Sequence, residues 1–167
     1  MIRFTVAYEN IVFKGQAQYL KDEYSFQILR LSYLKDEYSF FYNPWSNVNF
    51  SILIEKGYNS LDIELETGRV LQVTGVNPNY NWIEKELVNP VFQRGILTVS
   101  FDEKHSEGTG IQYANDWQTY FNYKTGWVCI GNPDCNTESK GVEFAKDSVA
   151  VIDNGQLSSI WIRPQFV

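Results

Sequence analysis

The sequence is short of the residues that most enzymes use for catalysis and metal binding. Histidine occurs once, as His105, and the two cysteines are Cys129 and Cys135. A hydrolase triad needs a histidine oriented toward a nucleophile, but His105 lies in the polar run FDEKHSEGTG, which is typical of a solvated loop. A zinc site needs about four suitably spaced ligands. We therefore expect no catalytic residue, metal or cofactor, and free thiols rather than the alternative, a disulfide.

Positive charge is outnumbered by negative charge, and long apolar runs are missing. The chain has 14 Lys and Arg against 20 Asp and Glu, which gives a net charge of −6. Nucleic acids and anionic membranes attract basic surfaces, so neither partner is expected, whereas a basic protein partner is compatible. No run approaches the roughly 18 apolar residues of a membrane span. The start MIRFTVAYEN lacks the apolar core of a signal peptide, so we expect a cytoplasmic protein.

Aromatic residues are plentiful, with 11 Tyr, 11 Phe and 5 Trp, and this enrichment favours strands over helices. We predict a single domain over residues 1–167. Its fold is mainly β, an antiparallel meander that forms a sandwich or a strongly curved half-barrel with at most one or two short helices. The one plausible helix lies around Trp82–Leu87. Outside the hairpins and a repeated segment, the predicted strands are Ile2–Tyr8, Val48–Glu55, Ile96–Asp102, Gln118–Tyr123, Trp127–Gly131 and Val142–Phe144.

A first hairpin is predicted in LDIELETGRVLQVTG, where the loop Glu66–Gly68 ends on a glycine that can adopt a left-handed conformation. This register leaves Val70 as the one apolar residue outside the core face. It pairs Leu65 with Arg69, Ile63 with Leu71 and Leu61 with Val73.

A second hairpin is predicted in SVAVIDNGQLSSIWIRP, because Asn154-Gly155 is a strong signal for a two-residue turn. The turn pairs Ile152 with Leu157, and Pro164 ends the second strand. On the opposite face, the prediction places Val149, Val151, Ile160 and Ile162 together.

The octapeptide YLKDEYSF occurs twice, at Tyr19–Phe26 and Tyr33–Phe40. Two copies at a spacing of 14 positions do not make a repeat protein, because repeat folds use longer periods and more copies. The pattern predicts two similar corners between strands at Ile11–Leu20, Tyr24–Leu34 and Tyr38–Tyr42. A short helical turn in each copy is the alternative.

The carboxylates Asp62, Glu64 and Glu66 alternate with apolar residues, so they are predicted to share one strand face. Successive members of such a row lie about 6.5–7 Å apart. Two carboxylates at that separation could act as acid and base in glycoside hydrolysis. Strand alternation by itself also produces a solvated charged face, which is the simpler interpretation, and an acidic docking surface is a third.

A second candidate surface lies between residues 102 and 117, where a long loop is predicted to lead into a strand. Loops on a rigid sheet often carry recognition, and acidic side chains beside an exposed aromatic ring suit a binding surface. We favour this segment as the partner-binding site. Its candidate residues are Asp102, Glu103, Glu107, Asp116 and Trp117.

Two stretches together, LDIELETGRVLQVTG and GVEFAKDSVAVIDNGQLSSIWIRP, resemble small acidic β-rich bacterial immunity proteins of contact-dependent growth inhibition and related toxin systems. The resemblance implies a non-catalytic protein that binds the C-terminal domain of a cognate toxin, often a nuclease, and neutralises it. It carries over no individual binding residue. The alternative functions are a hydrolase or carbohydrate-active domain that uses the carboxylate row, and a β-barrel that binds a small ligand.

Overall fold

A computed structural model of the 167-residue chain describes residues 1–10, 16–20, 39–43, 50–54, 59–104, 108, 110–136 and 138–166. Only the backbone is described for residues 16–20 and 39–43 and at position 50. A short 3-10 helix spans Asn79–Asn81. The strands in these ranges are β1 Ile2–Tyr8, β2 Gln16–Leu20, β3 Ser39–Asn43, β4 Phe50–Ile54, β5 Asn59–Ile63, β6 Val70–Val76, β7 Ile83–Glu84, β8 Phe92–Phe101, β9 Gly110–Ala114, β10 Thr119–Asn122, β11 Trp127–Gly131, β12 Lys140–Ala145, β13 Ser148–Asp153, β14 Gln156–Ile162 and β15 Gln165–Phe166.

Two mixed sheets pack face to face. One has the order β1-β8-β12-β13-β14-β11-β10-β7 and the other the order β15-β2-β3-β6-β5-β4-β9. Neighbours are mostly antiparallel, but β7–β10, β8–β12, β2–β15 and β4–β9 are parallel. The interior is filled by aliphatic side chains of both sheets, such as Ile52 and Leu61 against Leu97 and Ile160. The prediction of a mainly β, sandwich-like fold is confirmed.

The first hairpin has the predicted turn glycine and a different register. Gly68 adopts a φ of 73°, and Leu61 pairs with Val73 as predicted. A bulge then leaves Leu71 without a partner, and Ile63 pairs with Val70 instead. Val70 therefore lies in the core, and Leu71 is the residue that leaves it. One extra residue in a strand reverses the facing of everything beyond it.

The second hairpin shows the same effect. Asn154 and Gly155 adopt positive φ values, and Ile152 pairs with Leu157, both as predicted. A register shift after Val151 skips Ser158, so that Val151 pairs with Ser159. The valines of β13 consequently share a face with Trp161, while the isoleucines of β14 point into the core, contrary to prediction.

This outward face carries a second apolar cluster, which we call the outer cluster: Trp127, Cys129, Val149, Val151 and Trp161. Leu87, from the segment that links β7 to β8, and Phe92, the first residue of β8, pack against it. That segment contains no helix, so the predicted helix at Trp82–Leu87 is wrong. Residues 85–91 form neither helix nor strand, and the partly buried Leu87 packs on the outer cluster beside Phe92, whose ring lies 6.1 Å from that of Trp127.

The strands predicted outside the hairpins and the repeated segment are found, with ends shifted by at most a few residues. Positions 48, 49 and 55 of the predicted strand Val48–Glu55 lie outside the described residues. The corner residues of both octapeptide copies also lie outside the described residues. The start of the first copy does pair with the end of the second, since Tyr19 of β2 lies opposite Phe40 of β3. No helix among the described residues has the length and hydropathy of a membrane span.

Candidate functional site

The loop of the first hairpin meets the end of β8 and brings two predicted acidic segments together. The backbone N–H of Val99 donates to the Gly68 carbonyl at 2.8 Å, and Asp102 and Glu103 follow three and four residues later. Three residues of strand span roughly 10 Å. We call this region the acidic end, and it consists of Glu64, Glu66, Asp102 and Glu103.

The charge at the acidic end is partly balanced. The N-terminal ammonium of Met1 donates a hydrogen bond to Asp102 and, with its charge, holds the pKa of that carboxyl below its usual value. Glu66 and Glu103 are exposed and have no ion-pair partner among the described residues. Arg69 and Lys104 lie in the same stretches, so the surface carries both signs.

Asp116 is separated from the acidic end. The start of β9 lies beside β4, where Gly110 pairs with Ser51, and β9 then runs roughly 13 Å to Ala114 before Asp116 is reached. Asp116 is exposed there. Glu107, a predicted member of this surface, lies outside the described residues, as does His105.

Trp117 does not have the geometry of an exposed anchor. Its side chain is half-buried and packs against the core, with its ring 6.1 Å from that of Tyr113 in an edge-on arrangement. A tryptophan in this position contributes to folding through its buried area. Truncation of Trp117 is therefore expected to lower the stability of the fold first, and to affect partner binding only as a consequence.

The carboxylate row is divided rather than shared. Asp62 is buried, with 3% of its surface exposed, whereas Glu64 accepts a hydrogen bond from Thr67 within the loop and Glu66 is exposed in the turn. The prediction of one solvated face is wrong for Asp62. The three carboxylates therefore have different environments, which does not suit an acid–base pair in one cleft.

Asp62 is held by neutral donors on the face of β5 that points away from the core. Its carboxylate accepts hydrogen bonds of 2.9–3.2 Å from Gln72, Thr74, Ser60 and Ser51. Burial raises the pKa of Asp62, and these hydrogen bonds offset only part of the rise. The other amide atom of Gln72, Oε1, is buried without a hydrogen-bond partner among the described residues.

We expect Asp62→Asn to remove a pH dependence of stability. Because the folded protein holds this proton more tightly than the unfolded chain, the stabilisation is present below the ordinary carboxyl pKa of about 4 and is lost as the pH rises through the raised value. The introduced amide can also donate to Gln72 Oε1. Urea unfolding from pH 4 to 8 should show the variant at least as stable as wild type at pH 7, with a flatter profile. A variant that is less stable at every pH would contradict this.

One concave feature of the structure was not predicted from the sequence. We call it the valine groove, after Val88 and Val91, two residues that are 85% and 91% exposed. It lies between the 85–93 segment and the 133–141 segment, over the outer cluster, and has a volume of about 690 Å³. The sequence signal is LVNPVF, in which apolar residues flank Asn-Pro without a strand or helix period.

Both cysteines are free thiols in the structure, as predicted. Cys129 is buried in the outer cluster, and Cys135 is exposed on the lining of the valine groove. Burial raises the pKa of both thiols, so neither is activated as a nucleophile. Within the described ranges, no group of three or more His, Cys, Asp or Glu side chains could hold a metal ion.

Comparison with known proteins adds no relative. No protein family matches this sequence, and no curated protein matches it.

Proposed function

We propose that this protein is a non-catalytic binding protein, an immunity protein that binds and neutralises the domain of a cognate bacterial toxin. The observation that carries the proposal is the acidic end, where the Gly68–Val99 hydrogen bond joins the hairpin loop that carries the exposed Glu66 to the strand that leads to the exposed Asp102 and Glu103. The proposal includes a cytoplasmic location, since a nuclease toxin would reach its nucleic-acid substrate there.

The charge of the chain favours a basic partner. A net charge of −6 attracts a nuclease domain, whose surface must be basic where it contacts phosphates. Such attraction raises the association rate more than it raises affinity. The mixed charges at the acidic end then favour a partner surface that is mainly basic and carries a few acidic groups opposite Arg69 and Lys104.

The alternative functions have less support in the geometry. The hydrolase hypothesis needs two carboxylates in one cleft, and Asp62 and Glu66 have separate environments. The barrel hypothesis needs an aromatic-lined interior cavity. Aliphatic residues such as Ile52, Leu97 and Ile130 fill the space between the sheets instead.

The proposal is tested by co-expression with a toxin gene adjacent to the gene for this protein. We expect growth to be rescued and the two proteins to elute together in size-exclusion chromatography. A folded protein that neither rescues growth nor co-elutes with the toxin domain would overturn the proposal.

Charge reversal locates the surface within that complex. We expect the double variant Glu66→Lys, Glu103→Lys to associate about three- to tenfold more slowly at low salt, with a weaker salt dependence. The measurement is stopped-flow association at several ionic strengths.

The matched control is Glu9→Lys, Glu84→Lys, which changes the net charge by the same amount. Both positions are exposed and lie elsewhere: Glu84 is in the edge strand β7, and Glu9 directly follows the edge strand β1. Equal slowing by both double variants would show that only net charge matters. That result would remove the acidic end as the contact surface.

A further inference from the structure

We propose that the valine groove is a binding site for a small aliphatic carboxylate, such as a medium-chain fatty acid. The site is separate from the acidic end, because the groove includes the first residues of β8 and the acidic end follows its last. β8 is 10 residues long, roughly 30 Å.

The apolar part of the groove suits an aliphatic chain. Its lining includes Phe92 and Val151, which belong to or pack on the outer cluster, together with the two exposed valines. Exposed apolar side chains that adjoin a concave surface are a sign of a binding site. The volume of about 690 Å³ lies within the range of small-molecule pockets, roughly 300–1,000 Å³.

The charge of the groove is opposite to that of the protein. The lining contains Lys85, Lys140, Glu86 and Asp134, and Glu86 is engaged by Lys124 in an ion pair. Two ammonium groups then face one remaining carboxylate, in a chain whose net charge is −6. Neither lining lysine has an ion-pair partner among the described residues. This positive balance selects an anionic ligand over a neutral or cationic one.

Both lysines are close to the apolar surface. The Lys85 ammonium lies 5.7 Å from the centroid of the Tyr120 ring, which packs on the outer cluster. Lys140 precedes Gly141, where an added Cβ would overlap the Val91 carbonyl oxygen. The backbone that carries the Lys140 side chain therefore lies next to Val91. A ligand whose chain lies along Val91 can therefore present its carboxylate to an ammonium group.

The test is titration with decanoate below its micelle concentration, followed by calorimetry and by ¹H–¹⁵N NMR. We expect saturable one-to-one binding, with shifts concentrated at residues 85–93 and 139–141. Decanol, which has the same chain length without the charge, should bind about tenfold more weakly, and decylammonium more weakly still.

Variants separate charge from chain contact. Lys85→Met and Lys140→Met should each weaken decanoate binding about two- to fivefold, and the double variant about tenfold. Val91→Ser should weaken decanoate and decanol alike, because it removes apolar contact without adding a charge. Lys146→Met, at an exposed turn outside the groove, is the matched control and should leave binding unchanged.

Several outcomes would overturn the proposal. These are decanol or decylammonium binding as tightly as decanoate, an equal loss for the control Lys146→Met, shifts outside the groove, and no binding by decanoate to folded wild-type protein.

Discussion

Replacing Trp161 with alanine is expected to lower the free energy of unfolding by about 4 kcal/mol. The Trp161 side chain is completely buried in the outer cluster, and its indole N–H donates to Ser159 Oγ at 3.0 Å. Truncation leaves a large cavity beneath the cover that Leu87 and Phe92 provide, and a β-sheet cannot collapse to fill it. Urea denaturation monitored by far-ultraviolet circular dichroism measures the effect.

Trp117→Ala is the matched comparison, because it removes the same atoms from a half-buried position. Its expected cost is about 1–2 kcal/mol. If the two substitutions cost the same, Trp161 is not the centre of a second core. Since the outer cluster supports the valine groove, Trp161→Ala should also weaken decanoate binding in protein that remains folded.

The sequence predicted the hairpins well, because their turns are local features. Asn154-Gly155 and Gly68 specify turns through backbone conformations that few other residues adopt easily. The pairing next to each turn was also correct, as with Ile152 and Leu157. These parts of the fold depend on residues that are close together in the chain.

Bulges account for the errors in facing. In each hairpin one residue, Leu71 or Ser158, drops out of the ladder, and all side chains beyond it exchange faces. Alternation alone gives no sign of a bulge, because both registers look amphipathic in these apolar strands. The outer cluster was missed for this reason: Val149 and Val151 were assigned to the same face as the isoleucines of β14.

The candidate sites depend on contacts between distant segments, which explains why only part of them was predicted. The acidic residues were identified from strand alternation and from a predicted loop, but the contact of Gly68 with Val99 joins two of the segments and leaves Asp116 apart. Asp62 was predicted to be solvated because strand alternation placed it on a charged face with Glu64 and Glu66. Its burial depends on hydroxyl and amide donors from β4 and β6. The valine groove likewise requires the parallel pairing of β8 with β12.

The contact between the first hairpin loop and β8 should depend on the absence of a side chain at position 68. Gly68 has a φ of 73°, and an added Cβ would overlap the carbonyl oxygen of Val99. The Gly68 N–H donates to Glu64 O at 2.8 Å and its own carbonyl accepts from Val99, so the loop cannot move away without losing a hydrogen bond. We expect Gly68→Ala to lower the free energy of unfolding by about 3 kcal/mol, as measured by urea denaturation.

Gly126→Ala isolates the part of that cost that comes from backbone conformation. Gly126 has a φ of 81°, and its nearest neighbour to an added Cβ is the flexible side chain of Arg163 at 3.8 Å. Its substitution should cost about 1 kcal/mol, the strain of a left-handed alanine alone. The difference between the two variants measures the steric contact with β8. Equal losses would show that the loop is not fixed there. If the difference is found, Gly68→Ala should also slow toxin association in folded protein, because it separates Glu66 from Glu103.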